Sequence, residues 1–469
     1  MQDKLMHIFA LSSLMLFTGV IFQLVQKAQN NPYMDEIFHI PQAQQYCRSN
    51  FSHWDPMITT LPGLYITSFL SLNIIRSFSG VSLVDLCTTQ NLRAMNLLFC
   101  IGNFAILFIL GKKLNEKSKG KDVNKTTKQL LINTIVLFLF PVLYFFSWLY
   151  YTDPGSTFFT LLMYTLCLHN FHKCSSLFGI IAILFRQTNV VWVLFCFVLV
   201  AIEILEKELQ HHTKEKIHNF RNTDLLKLLL KILLKPAIVF KLSKKIIFHT
   251  YSYVCVIAGF IAFVKINNGI VVGDRSNHVA SCNIPQVFYF LLVSLLFSFF
   301  NFFHTKNIFA FFRAILKNPF NVLLMVALSA IAVKYLTYEH KYTLSDNRHY
   351  TFYVWSRLFK KFHWARYTFI PSYLFSLYQF FSVTSHRGIL WQLLFFTCAA
   401  ACLVPQSLFE FRYYIVPFLI LRLNMTLPCS RILLAELFCY ILLNVFTVYM
   451  FISRPFYWPN DPLPQRFMW

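Results

Sequence analysis

Apolar runs of roughly 17 to 25 residues recur from one end of this chain to the other, and each is long enough as a helix to cross ~30 Å of hydrocarbon. They lie near 5–25, 91–111, 130–150, 155–171, 176–187, 189–205, 248–266, 285–303, 319–335, 368–384, 389–405, 413–427 and 431–452. In a bilayer every backbone N–H and C=O must be satisfied internally, so the pattern predicts an all-α polytopic membrane protein with about 13 spanning helices. Composition agrees: 57% of residues are hydrophobic and 13% charged, against about 25% charged in soluble domains. The apolar core of 5–25 is followed by no small-residue cleavage pattern, which favours an uncleaved first helix over a signal peptide. With no short repeat and no low-complexity tract, residues 1–469 read as a single membrane domain.

Lys and Arg number 42 against 19 Asp and Glu, a net charge of +23. The basic residues gather in short loops between apolar runs, which points to cytosolic placement beside anionic lipid and away from nucleic acid. The loop 112–129 carries seven Lys against two acids, and 206–247 carries ten Lys and Arg against four. Both are expected in the cytosol. They fall on one side together if the apolar piece 61–78, which opens with Leu61-Pro62-Gly63, lies along the interface instead of crossing. A large luminal loop, 26–90, follows on the opposite side, joined there by the polar loop 336–367 and the C-terminus. Of the sequons at Asn50, Asn124 and Asn424, only Asn50 then lies in a luminal loop. The 12 Cys are scattered without C-x-x-C spacing, and most sit in apolar helices as small hydrophobes. Cys47 and Cys87 share the luminal region and could pair.

Acid is scarce, so Asp35 and Glu36, just past the first apolar run in Pro32-Tyr33-Met34-Asp35-Glu36-Ile37, stand out. A carboxylate at the mouth of a membrane bundle can serve as general base toward a hydroxyl nucleophile, with Asp35 the first choice and Glu36 the second. Asp35 could equally cap the helix that follows. A lipid phosphate leaving group calls for planar cationic donors. Arg348 with His349, Arg412 and Arg186 are the candidates, set against ordinary snorkelling of arginines near helix ends. Asp274 and His278, in the polar insert Gly273–His278, could bind sugar hydroxyls. Asp153, in Tyr151-Thr152-Asp153-Pro154-Gly155, reads as a turn residue. No metal-ligand spacing, phosphate loop or dinucleotide fingerprint is present, so no metal or cofactor is expected.

These residues carry a resemblance. The strings PYMDEIFHIPQAQQYC, ITTLPGLY, FRQTNVVWV, GDRSNHVA, LSDNRHYTFYVW and EFRYYIVP, between about residues 30 and 420, resemble those of the dolichyl-phosphate-glucose-dependent α-1,2-glucosyltransferases of the endoplasmic reticulum. The resemblance implies a GT-C type glycosyltransferase bundle with interfacial helices in the first luminal loop. It also implies a site between loops 26–90 and 336–367. The implied substrates are dolichyl phosphate glucose and a diglucosylated dolichyl-diphosphate-linked oligosaccharide, with transfer inverting a β-linked donor to an α-linked product. The central loop 206–247 matches no motif, and no protein partner is implied. From the residues alone, another dolichol-linked sugar transferase or a polytopic transporter or channel-associated subunit stays open, although polar groups clustered at one face fit a transporter poorly.

Overall fold

In a computed structural model of the chain, residues 2–116, 123–213, 235–275 and 279–469 are described. Helices α1 (Gln2–Ala28), α2 (Glu36–Cys47), α3 (Gly63–Ser79), α4 (Leu83–Leu86) and α5 (Thr89–Asn115) form the N-terminal part. They are followed by α6 (Val123–Phe138), α7 (Pro141–Phe146), α8 (Thr152–Leu168), α9 (His172–Phe185), α10 (Val190–Thr213) and α11 (Pro236–Asn267). The C-terminal part comprises α12 (Pro285–Phe297), α13 (Phe299–Phe302), α14 (Thr305–Lys317), α15 (Pro319–Tyr335), α16 (Lys341–Ser345) and α17 (Tyr350–Tyr353). It ends with α18 (Ala365–Thr368), α19 (Ile370–Val383), α20 (Ile389–Leu403), α21 (Ile415–Asn424), α22 (Ser430–Ser453) and a hairpin of β1 (Phe456–Trp458) and β2 (Asp461–Gln465). Among the described residues the fold is thus all-α apart from one short hairpin.

Local chemistry explains many of the boundaries. Pro141, Pro236, Pro285 and Pro319 each open a helix, where the missing N–H needs no partner. Ser82 and Thr88 cap α4 and α5 by accepting the N–H groups of Asp85 and Asn91. The same proline signals shorten the apolar runs. The 130–150 run breaks at Phe140 before Pro141, and 413–427 starts as a 3₁₀ turn, Phe411–Tyr414, before the ten-residue α21. Ten residues rise only about 15 Å, half a bilayer core.

Among the described residues five helices are therefore long and apolar enough to cross a membrane: Phe9–Ala28, Thr89–Asn115, Gln187–Leu209, Pro236–Asn267 and Ser430–Ser453. A sixth is added if α14 and α15, bent by 100°, count as one span. The other runs form shorter or broken helices such as α9, α12 and α20. Helix α14 has no buried residue, carries Lys306, Arg313 and Lys317, and leaves Phe309, Phe312 and Leu316 exposed, the pattern of a helix lying in the interface. Phe240, Phe248 and Ile266 of α11 are exposed as lipid-facing groups would be.

Two buried apolar clusters hold the bundle. The larger joins α5 to α8, α10, α12 and α19 to α22. The smaller packs Ile40, Tyr46, Leu64 and Tyr65 of the first loop against Tyr150, Phe159 and Phe185, seating α2 and α3 on α8 and α9. Helix α3 comes so close to α9 that a Cβ at Gly63 would meet the Leu184 backbone at 2.6 Å. A Cys47–Cys87 disulfide ties the end of α2 to the residue after α4.

Candidate functional site

The chain enters the site through a left-handed residue. Met34 has φ 56°, a conformation that side chains other than glycine adopt only at a cost, and it turns the backbone sharply into α2. The consequence is that the neighbouring carboxylates diverge. Asp35 stands at the N-cap of α2 but makes no side-chain cap bond. Its Oδ2 instead accepts from Arg412 Nη1 at 2.9 Å, and its N–H donates to the Tyr151 hydroxyl at 3.3 Å. The side chain remains 41% exposed, and Oδ1 meets no donor among the described residues.

Glu36 turns inward and is fully buried. Its two oxygens accept from Arg93 Nε and Nη2 at 2.8 and 2.6 Å and from the backbone N–H groups of Tyr150 and Tyr33 at 2.6 and 3.0 Å. The remaining Arg93 donors go to Gln26, Gln29 and Asn31. All five guanidinium N–H groups are used, so this pair locks α2 to α5 and leaves no lone pair for a substrate. The second-choice base is thereby a structural group, because its oxygens are already spent.

Arg412 is the hub. From the 3₁₀ turn that opens α21 it reaches Asp35, and it holds Glu410 through Nε and Nη2 at 2.8 and 2.7 Å. Its guanidinium lies over the rings of Phe146 and Tyr151, each 5.5 Å away, a stacking that lysine could not reproduce. Burial pushes the Asp35 carboxyl up, but the charge of Arg412 and its hydrogen bond outweigh it and hold the group below the usual carboxylate range. Asp35 is therefore ionised at neutral pH. One turn along α2, His39 shares a hydrogen bond of 2.5 Å between Nδ1 and the Tyr65 hydroxyl. Burial, reinforced by Arg412 and Arg186, outweighs the pull of Asp35 and Asp55 and lowers His39 to about 4, so the ring is neutral.

Arg186 sits in extended backbone where α9 breaks, φ −149° and ψ 122°, and its Nη1 donates to Asp153 Oδ1 at 2.8 Å. The Asp-Pro-Gly sequence is the first turn of α8 and not a free turn, which corrects the expectation for Asp153. Gly155 makes the contact possible, since a Cβ there would overlap the Phe185 ring. Arg186 also lies 5.6 Å from the Tyr413 ring, beside Arg412.

Arg348 and His349 reach the same region, already occupied. Asp346 accepts from Arg348 Nε and Nη2 at 2.9 Å each, Gln465 accepts from Nη1 at 3.1 Å, and Trp458 lies 4.7 Å beneath the guanidinium. His349 Nδ1 is 3.0 Å from the Trp469 carbonyl, and Met468 pairs with the backbone of residues 348 and 350. Desolvation raises Asp346, yet Arg348 and His349 bring it below its ordinary value. The C-terminal segment continues inward. Tyr33 donates to the Arg466 carbonyl and accepts its N–H, at 2.6 and 2.7 Å, so the tail closes over the turn that precedes Asp35. Asp274 is half-buried in a segment where Gly273, φ 74°, abuts the Pro56 and Ile58 carbonyls of the first loop. His278 lies outside the described residues.

The structure thus brings Asp35, Arg412 and Arg186 together, with Arg348 and His349 in the loop that reaches the same region. Glu410, His39 and the tail residues Trp458 and Gln465 were not singled out from sequence, and Asp153 was read only as a turn residue. Two of them carried a readable signal: His39 follows Asp35 by four residues on one helix face, and Glu410 precedes Arg412 by two.

Comparison with known proteins identifies the family. The sequence profile of the DIE2/ALG10 family matches residues 29–423. A mouse protein named Dol-P-Glc:Glc(2)Man(9)GlcNAc(2)-PP-Dol alpha-1,2-glucosyltransferase is 41% identical over 467 residues, covering 98% of each chain. Proteins of the same name from human and Arabidopsis thaliana are 40% and 32% identical, covering 98% and 93% of this chain and 98% and 95% of their own. No solved structure matches. The chain belongs to the DIE2/ALG10 family.

Proposed function

We propose that this protein is a membrane hexosyltransferase that transfers glucose from dolichyl phosphate glucose to the diglucosylated dolichyl-diphosphate-linked oligosaccharide, in α-1,2 linkage and with inversion. The family and the names of its relatives support the substrates. The observation that carries the chemistry is the Asp35 carboxylate, ionised, with one oxygen held by Arg412 and the other open. The open Oδ1 takes the proton from the acceptor's 2-hydroxyl as that oxygen attacks the anomeric carbon. The bond from that carbon to the phosphate oxygen breaks, and dolichyl phosphate leaves with the electron pair. A phosphate leaves as an anion without a general acid, so one carboxylate suffices where glycoside hydrolysis uses two.

Arg412 orients Asp35 and has N–H groups left over from Asp35 and Glu410 to offer to the phosphate, with Arg186 beside it. Arg348 adds positive charge from the loop 336–367, and Arg348 and His349 exchange their present partners for substrate. Asp274 and the segment to His278 border the acceptor side.

The site faces the lumen of the endoplasmic reticulum, with loops 26–90 and 336–367 on that side and the basic loops 112–129 and 206–247 in the cytosol. The Cys47–Cys87 disulfide supports this placement, because such bonds persist in oxidising compartments. The test is to incubate purified protein with dolichyl phosphate glucose and the diglucosylated acceptor and weigh the product. A triglucosylated product of α-1,2 linkage is expected, and its absence overturns the reading.

A further inference from the structure

Beside Arg412 lies a polar cavity of about 30 Å³ lined by Asp153, Thr157, Arg186, Gln406, Arg412 and Tyr413 among others, but not by Asp35. Groups at its walls and directly behind them hold unspent hydrogen-bonding capacity. Asp153 is 2% exposed, and while Oδ1 pairs with Arg186, Oδ2 is buried with no partner. A buried carboxylate oxygen left unpaired is costly, and such groups are normally satisfied by protein, water or ligand. Arg186 uses only Nη1 on Asp153, and its side chain is 20% exposed. The Thr157 hydroxyl, also at the cavity, makes no hydrogen bond among the described residues.

Volume narrows the occupant. A space of about 30 Å³ takes one water or one hydroxyl group and is far too small for a pyranose ring. A ring seated outside it could extend one hydroxyl inward, past Arg412 and within reach of the carboxylate network. Polarity narrows it further, since a group that both donates, to Asp153 Oδ2, and accepts, from Arg186 or Thr157, is required. A hydroxyl does both, whereas a phosphate oxygen would meet the Asp153 charge.

We propose that this cavity receives a single hexose hydroxyl, read by Asp153 with Arg186 and Thr157, and that it discriminates sugars by that hydroxyl. The inference deepens the hexosyltransferase reading and rests on it. The hydroxyl belongs either to the glucosyl group of the donor or to the terminal residue of the acceptor, and the two sources separate by experiment.

The experiment measures kcat/KM for the purified full chain with two substrate series. One is dolichyl phosphate glucose deoxygenated singly at each ring hydroxyl; the other is the acceptor deoxygenated at each terminal hydroxyl except the nucleophile. Wild-type protein is expected to lose roughly 10- to 150-fold on one analogue of one series, the range for a single hydrogen bond to a charged partner. That series identifies the source. In Asp153→Asn the same analogue and its parent substrate should be used almost equally, because the partner of the missing hydroxyl has been weakened. If Asp153 only braces α8 against Arg186, the variant loses activity on all substrates alike and keeps the wild-type discrimination, which overturns the proposal. Equal use of every analogue by wild type overturns it too and assigns the cavity to a structural water. Should Asp153→Asn fail to fold, Thr157→Val decides: diminished discrimination supports the proposal, and unchanged discrimination overturns it. Failure of wild type on the natural pair is a different result, which removes the hexosyltransferase reading itself.

Discussion

Asp35 and Glu36 are adjacent and chemically near-identical, yet the left-handed turn at Met34 sends one to Arg412 with an open oxygen and the other into a saturated buried pair with Arg93. The sequence singled out both but could not choose between base and helix cap. The choice depends on Arg412, 377 positions away, which no local pattern connects to residue 35. With the cap bond absent, Asp35→Asn is expected to leave thermal stability close to wild type and to lower transfer by about 10²- to 10⁴-fold, the contribution of a general base. Near-normal turnover of that variant would take Asp35 out of the chemistry. Arg412→Lys keeps the charge but loses the fork to Asp35 and Glu410 and the two ring contacts, so it should lose activity even at saturating donor. His39 gives a pH signature. Its folded-state value, about 4, lies below the ordinary value of 6.5, so the unfolded chain takes up the proton first as pH falls. Stability from neutral His39 is complete above about pH 6.5 and is lost as pH falls toward about 4. A melting-temperature series should show that decline in wild type and a shallower one in His39→Gln.

At the scale of elements, α2 is a platform fixed at three points: the Glu36–Arg93 pair to α5, the His39–Tyr65 bond to α3, and the Cys47–Cys87 bond beyond α4. Position at the mouth of the bundle thus comes from rigid anchoring and not from a flexible loop, which suits a base that must be held in one geometry. Glu36→Gln strips the charge from a pair with no solvent access, and breaking such a pair costs about 3–5 kcal/mol. The variant should be poorly recovered or melt early, and whatever remains folded should retain turnover per molecule, the reverse of Asp35→Asn. Helix types were readable from apolar length, but only some breaks were: Pro141 marks the one at Phe140, whereas Arg186 and Tyr414 lie within or beside apolar runs whose neighbours decide where a helix stops. Asp-Pro-Gly shows the same limit. A turn signal by composition became the first turn of α8, because Gly155 lets that turn seat against Phe185 and brings Asp153 to Arg186.

At the scale of the whole molecule, charge asymmetry and the first-loop disulfide support the proposed orientation by separate routes. Lysine-rich loops argue for the cytosol from electrostatics, and the disulfide argues for an oxidising face at the first loop. The sequence could not foresee that the C-terminal segment folds back over the entrance, since Arg466, Met468 and Trp469 meet Tyr33, Arg348 and His349 through backbone groups that carry no sequence signal. Orientation has a direct reporter in the three sequons. Asn50 is exposed, its amide held only by Gln45 and its carbonyl by Ser52, so an oligosaccharide can be attached without disturbing the core. Asn424 is fully buried at the end of α21 and bonded to Ile420 and Tyr164, so no transferase can reach it in the folded protein. Asn124 lies in the lysine-rich segment 112–129, at the start of α6. Protein made in microsomes should therefore carry one glycan, removed by endoglycosidase and abolished by Asn50→Gln, with Asn124→Gln and Asn424→Gln leaving the mobility unchanged. A glycan at Asn124 would put the 112–129 loop in the lumen and reverse the orientation, separating Asp35 from the face where the proposed transfer takes place.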